Sequence, residues 1–305
     1  MTAHADLSPL GILKLRARLL RLIRRFFEDR EFIEVETPAV VPSPGLDLHL
    51  SAFEVNDPHG ARVGWLATSP EYQMKRLLTT GADRIFQVTK SYRAEERSAL
   101  HEREFTMLEW YRAHATSEDV MRDTEDLVDH LAGLVGDSPL FRGAKGSWPR
   151  YTVEGALREH GGVELDRLGD DEAFFRIWVE QVQPRLGNDG PVFVTDWPAS
   201  MASLARLKPN GMADRFEAFL KGIELCNGFG ELTNADEQRR RLVRDQADRR
   251  DADKPVYPVD ERFLQALEDG MPESGGNALG IDRLLMMLVD ADSIQAVMPF
   301  PKERL

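Results

Sequence analysis

Two strand-like segments joined by a charged loop lie between residues 84 and 113. The first reads RIFQVTKSYRAEE and the second EFTMLEWYRA, with a polar loop around Arg97 to Arg103 between them. Short runs rich in β-branched and aromatic residues with polar boundaries are typical of strands. Consecutive strands with so short a connection most simply pair in antiparallel fashion, so we predict a β-hairpin here.

The rest of the chain mixes helical and strand patterns without regular β-α-β alternation. Apolar residues at steps of three and four predict a long helix from Ser8 to Arg30, namely Leu13, Ala17, Leu20, Ile23 and Phe27. Further helices are predicted from about Asp119 to Val135, in NADEQRRRLVRDQADRR and at the end of GGNALGIDRLLMMLVD. Strands are predicted in FIEVETP, PVFVTDWP and DRFEAFLKGIELCNGF, and DKPVYPVD is interpreted as a linker. This mixture favours a single α+β domain over residues 1–305, in which residues 137–188 are assigned no chemistry.

Composition excludes several classes of protein. The longest apolar run, Leu284 to Val289, is far shorter than the roughly 20 residues of a membrane-spanning helix, and the first residues do not resemble a secretory signal. We therefore expect a cytoplasmic protein with no membrane contact. The single cysteine, Cys226, excludes an internal disulfide, and no Cys/His cluster has zinc spacing, so any metal must be held by carboxylates.

The net charge of −13 does not favour a chain whose main affinity is for nucleic-acid phosphates. Two local basic clusters, Arg16 to Arg25 and Arg239 to Arg244, are interpreted as solvated helix faces.

The hairpin presents groups that suit a nucleotide. Because side chains alternate along a strand, Arg93 and Glu95 are expected to project to one side. On the returning strand a shared face is expected for Phe105, Met107, Glu109 and Tyr111. A guanidinium binds a phosphate well through its planar fork, and an aromatic ring stacks on a base. The same pattern also fits a surface hairpin with alternating charge, so the spacing leaves both interpretations open.

Two later segments favour the nucleotide interpretation. Glu217, Glu224 and Glu231 recur every seven residues in an apolar context. Carboxylates beside phosphates repel them unless a cation intervenes, which indicates Mg²⁺. Arg283 follows Gly280 at the start of an apolar helix, where it can contact a phosphate, although a glycine before a core helix is also a common structural device.

The ordered segments resemble the catalytic domain of class II aminoacyl-tRNA synthetases of the lysine branch. FIEVETP resembles motif 1, SYRAEERSALHEREFTMLEWY motif 2 and ALGIDRLLMML motif 3, while TSPEYQMKRLL and ELCNGFGELTNADEQ resemble the substrate segments of that branch. The motif 1 helix begins at about Ser8, which leaves no room for an anticodon-binding domain before it. The amino-acid sequences of the motifs are most similar to those of the elongation factor P–(R)-β-lysine ligase family. The resemblance implies an antiparallel sheet flanked by helices.

The resemblance also implies a role for individual residues. Arg93 would hold the α-phosphate of ATP and Arg283 the γ-phosphate as the catalytic cations, and Glu217 and Glu224 would hold Mg²⁺. Further contacts with ATP are implied for Glu95 (the adenine amino group), His101, Glu102, Phe105 (the adenine face), Glu224, Leu225 and Gly280. The amino acid would be bound by Ser69, Pro70, Glu71, Glu109, Tyr111, Asn227, Glu231 and Ala278. An acidic pocket beside a nucleotide predicts a cationic substrate.

Three positions depart from the family pattern. Ala94 stands where these ligases usually have asparagine, and Glu102 stands where asparagine commonly follows the histidine, which puts the role of Glu102 in ATP binding in question. Ala278 replaces the glycine of full-length lysyl enzymes, and one methyl group can discriminate between substrate isomers by about 1–3 kcal/mol.

The expected reaction joins (R)-β-lysine or lysine, activated with ATP and Mg²⁺, to a lysine side chain of elongation factor P. The resemblance further implies a homodimer formed through the Ser8 to Arg30 helix and no stable binding of tRNA. One alternative is a truncated synthetase that acylates tRNA or another acceptor. A second is a non-catalytic regulator that binds nucleotide or amino acid, which the intact Arg93, Glu95, Glu217, Glu224 and Arg283 do not favour.

Overall fold

An eight-stranded sheet lies between two layers of helices in the computed structural model, which describes residues 8–134 and 147–301. The strands are β1 (Ile33–Glu34), β2 (Val40–Val41), β3 (Glu54–Asn56), β4 (Arg62–Leu66), β5 (Arg84–Tyr92), β6 (Glu104–Ala113), β7 (Arg150–Thr152), β8 (Val192–Trp197), β9 (Ala213–Leu220), β10 (Ile223–Gly230) and β11 (Ser274–Gly280). The α-helices are α1 (Pro9–Glu28), α2 (Glu71–Leu78), α3 (Ser117–Ala132), α4 (Val153–Ala156), α5 (Asp171–Ile177), α6 (Ala235–Asp251), α7 (Glu261–Glu268) and α8 (Ile281–Leu288). Short 3₁₀ or π segments occupy Leu157–Gly161, Leu165–Arg167, Trp178–Val182, Gln183–Arg185, Ala199–Met201 and Ile294–Val297.

The large sheet is antiparallel except at its two ends. Its strand order is β1-β5-β6-β11-β10-β9-β8-β7, and only the β1–β5 and β7–β8 pairs are parallel. A smaller antiparallel sheet has the order β2-β4-β3. The predicted fold class, α+β with an antiparallel sheet flanked by helices, is confirmed.

Alternation along the central strands produces a hydrophobic core on each face of the sheet. Phe86 and Trp110 pack with α1, α3 and α8, whereas their neighbours Ile85 and Tyr111 pack with α2 and α7 on the other face. The predicted hairpin is confirmed as β5–β6, with Ser91 opposite Phe105.

The structure adds to and corrects several predicted elements. Helix α3 ends at Ala132, and Val135 lies outside the described residues. The segment predicted as one extended stretch is the β9–β10 hairpin. Its two-residue turn has positive φ at both Lys221 (51°) and Gly222 (73°), as a type I′ turn requires. Helices α2 and α7 and the small sheet were not predicted.

Helix α1 begins where the sequence predicts but buries a different stripe. The Ser8 side chain accepts a hydrogen bond from the backbone N–H of Gly11 and caps the helix. Ile23 and Phe27 are buried as predicted, whereas Leu13 is 48% exposed. Ala17 is also exposed. The helix therefore has one apolar stripe in the core and a second in solvent.

Two arginines that were interpreted as solvated are in fact inside the protein. The Arg16 guanidinium donates to Asp282 Oδ1 at 2.6 Å and to Thr106 Oγ1 at 2.5 Å. Arg241 is 7% exposed and donates to Glu237 at 2.9 Å and to two backbone carbonyls. Over residues 8–134 and 147–301, no helix is both long enough and apolar enough to cross a bilayer.

Candidate active site

A cavity of about 350 Å³ opens where the antiparallel strands meet the loop between β5 and β6. All predicted site residues except Pro70 and Glu95 line it, namely Ser69, Glu71, Arg93, His101, Glu102, Phe105, Glu109, Tyr111, Glu217, Glu224, Leu225, Asn227, Glu231, Ala278, Gly280 and Arg283. Segments up to 214 residues apart in the chain thus face one space.

The strand register explains why these distant residues meet. Glu109 on β6 lies opposite Ala278 on β11, which lies opposite Asn227 on β10, which in turn lies opposite Glu217 on β9. Directly opposed residues project to the same face of a sheet. One row across four strands therefore places the Ala278 methyl group between a carboxylate and an amide. The Asn227 Oδ1 atom is buried and has no hydrogen-bond partner.

A neighbouring row is built around a glycine. Gly276 on β11 lies opposite Tyr111 on β6 and Phe229 on β10. A Cβ atom added at Gly276 would overlap the Tyr111 ring and the Glu231 carboxylate. Glycine is therefore required here by close approach, and it leaves room for these two side chains at the cavity wall.

Arg93 and Phe105 form a cationic and aromatic wall. The Arg93 guanidinium carbon lies 5.0 Å from the centre of the Phe105 ring, and Nη1 donates to Glu96 at 3.0 Å. The Arg93 Nε–H is buried without a hydrogen-bond partner. A planar guanidinium with an unused donor is suited to binding an anionic oxygen.

The expectation that Arg93 and Glu95 project to the same side is wrong. Strand β5 ends at Tyr92, and the N–H of Ala94 donates to the Ser51 carbonyl at 2.7 Å instead of to β6, so the chain leaves the sheet. The Glu95 side chain is 62% exposed and lies 4.0 Å from Lys254, outside the cavity.

Pro70 also lies outside the cavity lining. It precedes α2, and its carbonyl accepts from the backbone N–H of Met74 at 2.9 Å. Pro70 therefore contributes to the first turn of helix α2 and does not line the cavity.

Arg283, at the start of α8, is held by three acceptors. It donates through Nη1 to the Glu224 carbonyl at 2.9 Å, through Nε to the Leu100 carbonyl at 3.3 Å and through Nη2 to His101 Nε2 at 2.6 Å. Since a guanidinium only donates, Nε2 of His101 is the acceptor and its Nδ1–H faces Ser98 Oγ at 2.8 Å. Burial, and then the Arg283 charge, lower the pKa of His101, so the ring is neutral.

The predicted metal ligands fit a magnesium site that is completed by phosphate. Glu217 is buried and lies 2.5 Å from Arg215, and burial raises its pKa to about 7, with a further rise caused by Glu224. In the described part of the chain, no group of three or more His, Cys, Asp or Glu side chains could hold a metal. Mg²⁺ usually takes one or two carboxylates together with waters and substrate phosphates. Two mutually repelling carboxylates fit that requirement.

A second group of carboxylates that line the cavity is formed by Glu71, Glu109 and Glu231. Glu109 is buried and accepts from Ser69 Oγ at 2.5 Å and from the Tyr111 hydroxyl at 3.0 Å. Burial, and then the Glu71 charge, raise the pKa of Glu109 to about 8. Burial also raises the pKa of Glu231 to about 8, while Lys75 acts in the opposite direction. Such carboxyls ionise most readily when a cation enters.

Buried contacts at the cavity wall hold the segments that carry Phe105 and Arg283. Asp282 accepts from Arg16 of α1 and from the backbone N–H of Thr106 at 2.6 Å. Asp282 precedes Arg283 and Thr106 follows Phe105, so this network links α1 to two residues of the predicted ATP site. Glu102 is 6% exposed and accepts from Gln295 at 3.0 Å.

Sequence reasoning missed four residues that shape the cavity. Lys75 lies between Glu71 and Glu231, and its spacing of four from Glu71 on a helix was a visible signal. Arg215 pairs with Glu217 two residues later on β9, and Glu96 pairs with Arg93 three residues earlier, so both also had a local signal. Gly276 had none, because Tyr111 and Glu231 come from other segments.

The comparisons with known proteins cover almost the whole chain. The family described as tRNA synthetases class II (D, K and N) matches residues 8–304. Relatives named elongation factor P–(R)-β-lysine ligase include one from Haemophilus influenzae (strain Rd), 40% identical over 93% of each chain. Another from Sodalis glossinidius is 40% identical over 97% of each chain, and one from Pectobacterium carotovorum is 41% identical over 97% of this chain and 96% of the relative.

The chain belongs to this ligase family. The resemblance drawn from the motifs is therefore confirmed. In this class II ligase, residues from the predicted ATP and amino-acid segments line one cavity.

Proposed function

We propose that the protein activates (R)-β-lysine or lysine with ATP and transfers it to a lysine side chain of elongation factor P. The supporting observation is that two kinds of group line one cavity. Arg93 and Arg283 provide guanidinium groups, and Glu71, Glu109 and Glu231 form a cluster of carboxylates, two of which contact Lys75. This arrangement suits a triphosphate beside an amino acid with two ammonium groups.

In the first step, the substrate carboxylate oxygen attacks the α-phosphorus of ATP. The bond from that phosphorus to the bridging oxygen breaks, pyrophosphate leaves and an aminoacyl-adenylate forms. Arg93 would hold the α-phosphate, Arg283 the γ-phosphate and Phe105 the adenine ring. Catalysis then comes from alignment and from positive charge facing the phosphoryl oxygens, and no protein nucleophile takes part. Bound Mg²⁺, held by Glu217 and Glu224, would neutralise phosphate charge.

The amino acid would extend toward the cluster of Glu71, Glu109 and Glu231. Glu71, Glu109 and Glu231 would bind its two ammonium groups, and the unpartnered Asn227 Oδ1 offers a further acceptor. The Ala278 methyl group lies in the same row of side chains. A methyl at this position would favour one lysine isomer by contact with the substrate backbone.

In the second step, a lysine amine of the acceptor protein attacks the adenylate carbonyl carbon. The carbon–oxygen bond to AMP breaks, an amide forms and the amine loses a proton. The amino acid and the lysine side chain of the acceptor protein are therefore joined by an isopeptide-type bond, and AMP is released.

Intact-protein mass spectrometry tests the proposal. The protein is incubated with ATP, Mg²⁺, purified elongation factor P and either lysine isomer. We expect a mass gain of one lysyl unit on the factor, with (R)-β-lysine preferred. Transfer only to tRNA would instead identify a truncated synthetase, and no pyrophosphate release with any amino acid would identify a non-catalytic regulator.

We also propose that α1 forms a homodimer interface. Leu10 is 59% exposed and Leu13 48% exposed, and they lie on one stripe with the exposed Ala17. Burying such a stripe against its copy satisfies two-fold symmetry. Light scattering should report a dimer for the wild type and a lower mass for Leu13→Asp.

A further inference from the structure

Lys75 lies behind the wall of the cavity, in a cage formed by two of the lining carboxylates and two aromatic rings. It is 1% exposed, and its Nζ lies 2.6 Å from Glu71 Oε1 and 2.5 Å from Glu231 Oε2. The rings of Tyr111 and Phe229 lie with their centres 6.0 Å and 5.8 Å from the same nitrogen. Two carboxylates and two aromatic faces are the usual surroundings of a bound ammonium group.

The carboxylates around Lys75 retain binding capacity. Glu231 Oε1 is buried and has no hydrogen-bond partner, while Oε2 lies 2.5 Å from Lys75 Nζ. Both Glu109 oxygens accept from neutral hydroxyls, those of Ser69 and Tyr111. Lys75 is therefore shared between two carboxylates, while the third carboxylate has no cation of its own.

We propose that Lys75 determines the charge specificity of the amino-acid pocket. When the substrate is bound and all three carboxyls are ionised, one ammonium among three carboxylates leaves a net charge of −2, which two substrate ammonium groups neutralise. Lys75 also positions Glu71 and Glu231, since it contacts both. This inference rests on the proposed function and adds to it a residue outside the predicted set.

Removal of Lys75 leaves a buried carboxylate without a counter-ion. Lys75 lowers the pKa of Glu231 against the effect of burial, so without Lys75 this carboxyl keeps its proton to higher pH and attracts an ammonium group less strongly. The titratable groups that face Lys75 are Glu71 on α2, Glu231 after β10, and Glu109 and Tyr111 on β6. None of them supplies a replacement cation.

Amino-acid-dependent ATP–pyrophosphate exchange tests the proposal with Lys75→Met, which keeps a long apolar stem. We expect the KM for either lysine isomer to rise by about tenfold or more, because one pKa unit corresponds to a tenfold change. The KM for ATP should change by less than about twofold. In both proteins the KM for lysine should fall as pH rises through the pKa of about 8 of Glu109 and Glu231, and in the variant the fall should extend to higher pH, because Lys75 no longer lowers the pKa of Glu231. Arg76→Met, at the next position of α2, is the matched control and should behave as the wild type.

A double variant separates charge from shape. Lys75→Met combined with Glu231→Gln has a pocket charge of −2 again and keeps an acceptor oxygen at position 231. We expect it to bind the lysine isomers more tightly than either single variant, a coupling that independent roles would not produce. If Lys75→Met does not fold, the comparison of the double variant with Glu231→Gln alone makes the same test.

Strictly additive effects, or an unchanged KM for lysine in Lys75→Met, would overturn the role of Lys75. A wild-type protein that exchanges pyrophosphate with no lysine isomer would instead overturn the proposed function itself. The two failures are therefore distinguished by the wild-type measurement.

Discussion

Replacing Glu109 by glutamine should change how the stability of the ligand-free protein depends on pH. Burial, and then the Glu71 charge, raise the pKa of Glu109 from 4.5 to about 8. Between these values the unfolded chain has lost this proton and the folded protein retains it, so the free energy of unfolding falls as pH rises. The fall is about 1.4 kcal/mol per pH unit, or about 4–5 kcal/mol over the whole interval. Glutamine does not titrate, so this contribution should disappear.

Urea unfolding at pH values between about 5 and about 8 measures the effect. The stability of Glu109→Gln relative to the wild type should rise steadily over this range. Glu104→Gln is a matched control, because Glu104 lies on the same strand and its side chain is 56% exposed. A Glu109→Gln curve that runs parallel to those of the wild type and the control would refute the assignment of a buried, proton-holding carboxyl.

Three further predictions concern the cavity and its support. Arg283→Ala should abolish amino-acid-dependent pyrophosphate exchange with an unchanged circular dichroism spectrum, and normal turnover would remove Arg283 from the ATP site. Arg16→Met should lower the free energy of unfolding by about 3–5 kcal/mol, because it leaves the buried Asp282 without its partner; chemical denaturation checks this, and a loss below about 1 kcal/mol would contradict it. Gly276→Ala should weaken lysine binding at least about tenfold while ATP binding is retained, because the added methyl group overlaps the Tyr111 ring; calorimetric titration of each ligand distinguishes this from general misfolding.

Local periodicity was sufficient for much of the fold and part of the site. Alternation along β6 correctly predicted that Phe105, Glu109 and Tyr111 face one side, because a period of two depends only on neighbouring residues. Helix α1 was likewise predicted from its apolar spacing. The family motifs added positions such as Asn227. Periodicity alone does not indicate that Asn227 lies in the cavity.

The errors arise where a side chain depends on a distant partner. Glu95 was assigned to a strand, but a hydrogen bond from Ala94 to Ser51 turns the chain outward before it. Arg16 and Arg241 have the charge of surface residues, and only acceptors from other segments make their burial favourable. The burial of Lys75 depends on Glu231 as well as on Glu71 of the same helix. Glu231 follows β10, so only the order of the strands in the sheet brings it close to Lys75.

The contact between Arg16 and Asp282 joins residues 266 positions apart. During synthesis at roughly 5–20 residues per second, Arg16 leaves the ribosome on the order of 10–50 s before Asp282 is made. Helix α1 therefore acquires the carboxylate partner of Arg16 only after the residues up to Asp282 have been made. Nascent chains should hold this helix loosely until then, and its final docking should coincide with the ordering of the ATP-binding wall.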